Sequence, residues 1–177
     1  MPGFGRVMSL WEPEMSEHDE AEMPEPEDRS VEIEHKLVEL LARREHSRLE
    51  LRRKLEQRGY GFDEIEPVLA DLAARGLQSE ARFAEHYARG REQRGYGPVR
   101  IRQELRERGI DDGLIATALE ALEVDWFAAA RAARHKRFGA AAPADFREQA
   151  RQLRFLNNRG FDAEQCRVAL ENDPADR

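Results

Sequence analysis

The sequence predicts an all-α protein: an elongated, curved array of three tandem three-helix repeats, preceded by a capping helix and a disordered acidic N-terminal tail. Leu, Ala, Glu and Arg dominate while glycine and proline number only 12 and 8, and the scarcity of β-branched residues favours helix over strand. The phrase Leu-x-x-Arg-Gly occurs as LEQRG (55–59), LRERG (105–109) and LNNRG (156–160), with glycines 50 and 51 residues apart. A fixed period of that length marks an internal repeat. Counted from each glycine, Ile65, Ile115 and Cys166 share one column, Val68, Ala118 and Ala169 a second, and Leu69, Leu119 and Leu170 a third.

Residues 1–30 form the tail. Residues 1–34 hold 11 acids against 2 bases, which leaves 25 acids and 27 bases for residues 35–177. The stretch EPEMSEHDEAEMPEPEDRS repeats like charges among prolines and has almost nothing to bury, the composition of a disordered segment. It reads either as a solvating leader or as an internal decoy that competes with a polyanion for the basic body. Residues 31–46 follow as a capping helix, because Ile33, Leu37, Leu40 and Leu41 recur at helical spacing.

The repeats are expected at 47–94, 95–139 and 140–177, the last with a short tail. In each, a helix ends at Arg-Gly, where a left-handed residue suits glycine. Tyr60, Ile110 and Phe161, directly after, pack back over the helix end. Asp63, Asp111 and Asp162 then stand where an N-cap accepts free backbone N–H groups. A third helix follows in the first two units, one opening at Ser79 with Phe83, Ala84 and Tyr87 on its inner face, the other carrying Trp126, Ala130 and Ala133. On this division Gly59-Tyr60-Gly61 lies inside a unit and Gly95-Tyr96-Gly97 joins two units, with Pro98 in the first turn beyond.

Catalytic and metal-binding constellations are not found in the sequence. It has no Gly-x-x-x-x-Gly-Lys-Ser/Thr loop, no His-Glu-x-x-His and no Gly-x-Ser-x-Gly elbow. His18, His35, His46, His86 and His135 fall in separate segments without metal-ligand pairing. Cys166, the single cysteine, stands in an apolar column and reads as a buried core thiol in a cytoplasmic chain. No stretch approaches the roughly 20 apolar residues of a membrane span. A monomer with no enzyme activity, no cofactor and no membrane partner is expected.

Arginine carries the functional signal. Of 29 basic residues only Lys36, Lys54 and Lys136 are lysine, and arginine is the residue suited to bidentate recognition of phosphate and carboxylate. Equivalent helices place Arg52, Arg53 and Lys54 in the first unit, Arg100, Arg102 and Arg106 in the second, and Arg131, Arg134, Lys136, Arg137, Arg147, Arg151 and Arg154 across the segment leading into and through the third. A stripe of these residues fits DNA phosphates or an acidic protein groove. The alternative is a solvated face paired with internal glutamates such as Glu104 and Glu107. From Arg131 to Arg159, however, eight bases face only Asp145 and Glu148.

The stretch GLQSEARFAEHYARGREQRGYGPVRIRQELRERGI, residues 76–110, resembles the central motif of the RecX family of bacterial recombination regulators. Its Phe-Ala-x-x-Tyr helix, arginine run and Arg-Ile-x-x-Glu-Leu-x-x-Arg-Gly-Ile phrase carry the likeness, which extends over roughly residues 35–172. Ser79 stands where family members often carry an acid, and Asn157 and Asn158 where a charged pair is usual. The resemblance implies tandem three-helix units and binding to the RecA recombinase in the groove of its filament on single-stranded DNA. It also implies restraint of the ATPase, strand-exchange and coprotease activities of RecA. A stand-alone helical DNA-binding or architectural protein is the alternative, disfavoured by a body net charge of only +2.

Overall fold

The structure, a computed structural model, describes residues 26–171. Among them the elements are helices in the order α1 (Pro26–Arg43), α2 (Arg48–Glu56), α3 (Phe62–Ala74), α4 (Glu80–Glu92), α5 (Pro98–Glu107), α6 (Asp112–Glu120), α7 (Trp126–Phe138), α8 (Phe146–Arg159) and α9 (Ala163–Leu170). The expected acidic tail lies outside the described residues up to position 25, but residues 26–30 are already helix. Pro26 opens α1, where its fixed φ is suitable and its missing N–H costs nothing. Arg29 is then held by Glu64 at 3.1 Å and lies over the ring of Tyr60. These contacts begin the helix ahead of the expected residue 31.

Three apolar clusters divide the chain. The first joins Ile33 and Leu37 of α1 to Leu51 and Leu55 of α2 and to Ile65, Val68, Leu69 and Leu72 of α3. The second joins Phe83, Ala84 and Ala88 of α4 to Ile101 and Leu105 of α5 and to Ile115, Ala118 and Leu119 of α6. The third gathers Ala130 of α7, Leu156 of α8, and Cys166 and Ala169 of α9. Each fully buried Leu or Ile contributes roughly 1.5–3 kcal/mol. The two larger clusters therefore hold the first and second bundles more firmly than the alanine-rich third.

The clusters correct the phase of the repeat. Helix α1 is the first helix of the first bundle, not a cap, and the expected boundaries at 47, 95 and 140 separate each bundle's first helix from its other two. Periodicity shows that α4 has an apolar face, but only packing shows that this face turns forward onto α5 and α6. Both Gly-Tyr-Gly turns consequently lie inside bundles, with Gly61 capping α3 and Gly97 capping α5.

The recurrent helix ends match their expected role. At Gly59, Gly109 and Gly160 φ is +88°, +80° and +87°. The next amide in each case donates back to Leu55, Leu105 or Leu156 at 3.2, 3.1 and 3.2 Å, which satisfies a carbonyl the helix leaves free. Tyr60, Ile110 and Phe161 are buried by that closure. Asp111 and Asp162 cap α6 and α9 through their carboxylates. Asp63 does not cap α3: that helix starts at Gly61, whose N–H donates to Glu64 Oε2 at 2.7 Å.

The two joints between bundles differ in chemistry. The first bundle meets the second mainly through side chains: Glu80 accepts from the Arg48 N–H at 2.6 Å, Arg82 pairs with Glu45 at 2.8 Å, and Gln78 donates to the His46 carbonyl at 3.2 Å. The second meets the third along the backbone. Gly97 N–H donates to the Arg159 carbonyl at 2.8 Å and Val99 N–H to the Gly160 carbonyl at 3.0 Å. Arg100 and Arg159 add bonds to the carbonyls of Asn158 and Arg94 at 2.8 and 2.9 Å. Among the described residues no hydrogen bond or ion pair links the first bundle to the third, as an array of nearest neighbours requires.

Glu104 anchors the polar side of the second bundle. It accepts from Tyr87 Oη and Arg100 Nε, each at 2.9 Å, and pairs with Arg91. Burial pushes the Glu104 carboxyl upward, but the bonds from Arg91, Arg100 and Tyr87 outweigh it and hold the group below the ordinary glutamate range. A lowered folded pKa contributes stability above the unfolded pKa, and that contribution is lost as pH falls through the folded value. Glu104→Gln should cost about 2 kcal/mol at neutral pH. Denaturation curves of the variant and the parent should converge as pH drops below the ordinary value of about 4.3; a gap independent of pH would contradict the assignment.

Candidate interaction surface

The basic residues separate into those already engaged within the fold and those left exposed. In the first bundle Arg52 pairs with Glu66 at 3.4 Å and Glu56 at 3.8 Å and lies over Phe62. Its neighbours Arg53 and Lys54 have no acidic partner among the described residues. In the second bundle Arg100 is committed to Glu104 and to the joint, and Arg106 pairs with Asp112 at 2.7 Å. Bonding from Asp112 raises the Arg106 pKa, and the same bond from Arg106 lowers that of Asp112. Arg102 is half-buried beside that pair. The expected stripe along the array is therefore interrupted where Arg52, Arg100 and Arg106 turn to partners inside the chain.

Arg134 departs furthest from expectation. It is 2% exposed, and its Nε donates to Gln152 Oε1 at 2.8 Å while another guanidinium nitrogen bonds the Ala141 carbonyl. Burial lowers its pKa. The residue stitches α7 to α8 and to the connection between them, so it offers nothing to a partner. Its sequence position on a basic, alanine-rich helix does not distinguish it from Arg131 or Arg137; the inward face of α7 does.

The third bundle holds the surplus. Arg131, Lys136, Arg137, Arg147 and Arg154 have no acidic partner among the described residues, and all but half-buried Arg131 are exposed. Arg151 pairs with Glu148 at 2.9 Å and lies 5.2 Å from the centre of the Phe138 ring. Two residues outside the expected set belong with them. Arg94 and Arg159 line a groove of about 490 Å³ that runs between the second and third bundles and also reaches Lys136 and Arg137. Arg159 counts toward the basic surplus of its segment and closes a repeat phrase, but the sequence does not place it among the contact candidates. Its involvement depends on α8 ending against the turn before α5, a long-range contact with no local sequence signal.

No group of three or more His, Cys, Asp or Glu among the described residues is arranged to hold a metal ion. The Cys166 thiol is fully buried, and burial followed by the charge of Asp162 pushes its pKa up to about 11. This matches the expected inert core position. No helix among the described residues is long and apolar enough to cross a membrane.

Fold and surface together define a helical-repeat protein whose distinctive surface is a concentration, on its third unit, of cations without an acidic partner among the described residues. Comparison with known proteins gives the family. The models of the first, second and third three-helix domains of RecX match residues 35–72, 79–119 and 123–170, in the same phase as the three clusters. The regulatory protein RecX of Halorhodospira halophila is 57% identical over 132 residues, covering 75% of this chain and 82% of its own. That of Pseudomonas entomophila is 48% identical over 137 residues, covering 77% and 88%. A crystal structure of regulatory protein RecX aligns with a TM-score of 0.70 at 22% identity, over 81% of this chain and 73% of that one. The RecX structure from Lactobacillus salivarius gives 0.67 at 21%, over 81% and 95%; both structures support the fold. The chain belongs to the RecX family of regulatory proteins.

Proposed function

We propose that this protein binds the RecA recombinase filament on single-stranded DNA in the cytoplasm and restrains its ATPase, strand-exchange and coprotease activities. Membership in a family of regulatory proteins over all three domains carries the reading. The mechanism is occupancy without chemistry. A row of bundles laid along a filament groove touches several recombinase subunits, and the exposed cations of the third bundle supply the charge-assisted contacts. Arg53, Lys54 and Arg102 are secondary contact candidates. Arg52, Arg100 and Arg106 must break an internal ion pair to take part.

The stand-alone DNA-binding alternative is weaker on this surface. Many cations of the first two bundles already face glutamates or aspartates, so the free charge is concentrated on the third bundle and not spread along the array to track a duplex.

The test is the single-stranded-DNA-dependent ATPase of RecA titrated with the full chain. Suppression at substoichiometric amounts is expected, because one blocker affects many subunits; undiminished turnover at equimolar protein overturns the reading. Arg147→Gln with Arg154→Gln should raise the half-inhibitory concentration about fivefold, since each exposed ion pair is worth up to about 1 kcal/mol. Their exposure predicts an unchanged circular dichroism melt.

A further inference from the structure

We propose that the groove between the second and third bundles is a binding site for the phosphodiester backbone of single-stranded nucleic acid. It extends the proposed function by giving the bound strand a place on this chain, and it is tested without RecA. The groove is lined by four cations from three segments and by small apolar residues. Arg94 follows α4, Arg159 ends α8, and Lys136 and Arg137 lie on α7 one turn beyond Ala132 and Ala133, which also line it; Glu92 is the single acid in the lining.

The cations are disposed for oxyanions. Arg159 lies 4.8 Å from the centre of the Tyr96 ring and 5.2 Å from that of Phe155, and it donates to the Arg94 carbonyl at 2.9 Å. Stacking and that bond fix the plane of the guanidinium, so less side-chain freedom is lost when a phosphate binds. Lys136 and Arg137 have no acidic partner among the described residues. The small side chains of Ala129, Ala132 and Ala133 in the lining add little bulk beside these cations.

The aromatic residues decide how the strand is held. Tyr96 is contacted by Arg91 at 3.8 Å and Arg100 at 5.1 Å as well as by Arg159. Phe155 makes an edge contact with Phe138 at 5.3 Å. With these rings already engaged, base stacking is not the main contact, and affinity should be indifferent to base sequence. A duplex carries its two backbones at fixed separation around a rigid cylinder. A single strand is flexible enough to lower one backbone into the groove.

The experiment measures binding of the full chain to a fluorescein-labelled single-stranded oligodeoxynucleotide of mixed sequence by anisotropy across a salt series. Lys136→Gln with Arg137→Gln should weaken binding about tenfold at low salt and reduce the slope of log K against log salt by about 1.4, since each phosphate contact on a single strand contributes about 0.7. The charge-matched pair Arg43→Gln with Arg58→Gln, on exposed residues of the first bundle, should change affinity less than about twofold. Glu92→Gln should tighten binding by about threefold, and Ala132→Leu, which narrows the groove without altering charge, should weaken it. Absence of binding by the parent chain, equal losses from the two charge-matched pairs, or an Ala132→Leu variant with full affinity would each overturn the site. Loss of oligonucleotide binding in Lys136→Gln/Arg137→Gln with ATPase inhibition intact would leave the RecA reading standing. Inhibition lost with oligonucleotide binding intact would sink the groove as a nucleic-acid site while leaving the RecA reading standing, with these two cations as filament contacts.

Discussion

Replacing Gly160 with alanine is expected to destabilise the joint between the second and third bundles by about 4 kcal/mol, the sum of a left-handed backbone penalty of about 1 kcal/mol and an overpacking cost of about 3. Gly160 closes α8 at φ +87°, and an added Cβ would lie 2.2 Å from Arg100 Cβ and 2.5 Å from its backbone nitrogen. Neither neighbour moves cheaply, because Arg100 is held by the first turn of α5. Gly97 faces the same seam, where a Cβ would meet the Gly160 carbonyl oxygen at 2.3 Å. Close backbone approach, more than turn geometry, thus requires glycine at both places. Gly59 has the same positive φ with nothing within 4 Å of an added Cβ, so Gly59→Ala should cost only the conformational penalty. Chemical denaturation of the two variants measures the difference, and hydrogen exchange at the Gly97 and Val99 amides localises it. Equal losses at Gly59 and Gly160 would refute the backbone-seam interpretation.

Arg134→Ala should cost about 3 kcal/mol, comparable to truncating a large buried side chain. The change removes the stem from the α7–α8 contact, leaves Gln152 Oε1 without its donor, and frees the Ala141 carbonyl. A buried acceptor left unpaired accounts for about 1–3 kcal/mol of the loss. Arg137→Ala, about one turn further along α7 but exposed, should alter stability by no more than about 0.5 kcal/mol. Thermal melting of the two variants separates an arginine that builds the third bundle from one that faces outward. A stable Arg134→Ala protein would show that the side chain is not integral to the core.

The sequence by itself determined the helical class, the repeat and most helix ends. Local chemistry governs those features: Leu-x-x-Arg-Gly followed by Tyr60, Ile110 or Phe161 closes each helix in the same way, and the columns through Ile65, Ile115 and Cys166 are buried as their period requires. The central motif from Gly76 to Ile110 was also sufficient to suggest the family. Its apolar and glycine positions are read within one turn of the chain.

Tertiary structure alone decided the phase of the bundles and the fate of each arginine. An amphipathic helix such as α4 can bury its face against the helices before or after it, and the choice depends on side-chain fit between segments far apart in sequence. Arg134, Arg137 and Arg159 are chemically alike and close in the chain, yet one is sealed against Gln152, one points to solvent and one stacks on Tyr96 across the joint. Composition gives all three the same charge. Whether that charge is spent inside the fold or remains for a partner depends on which helix face it occupies and on what the neighbouring bundle brings against it.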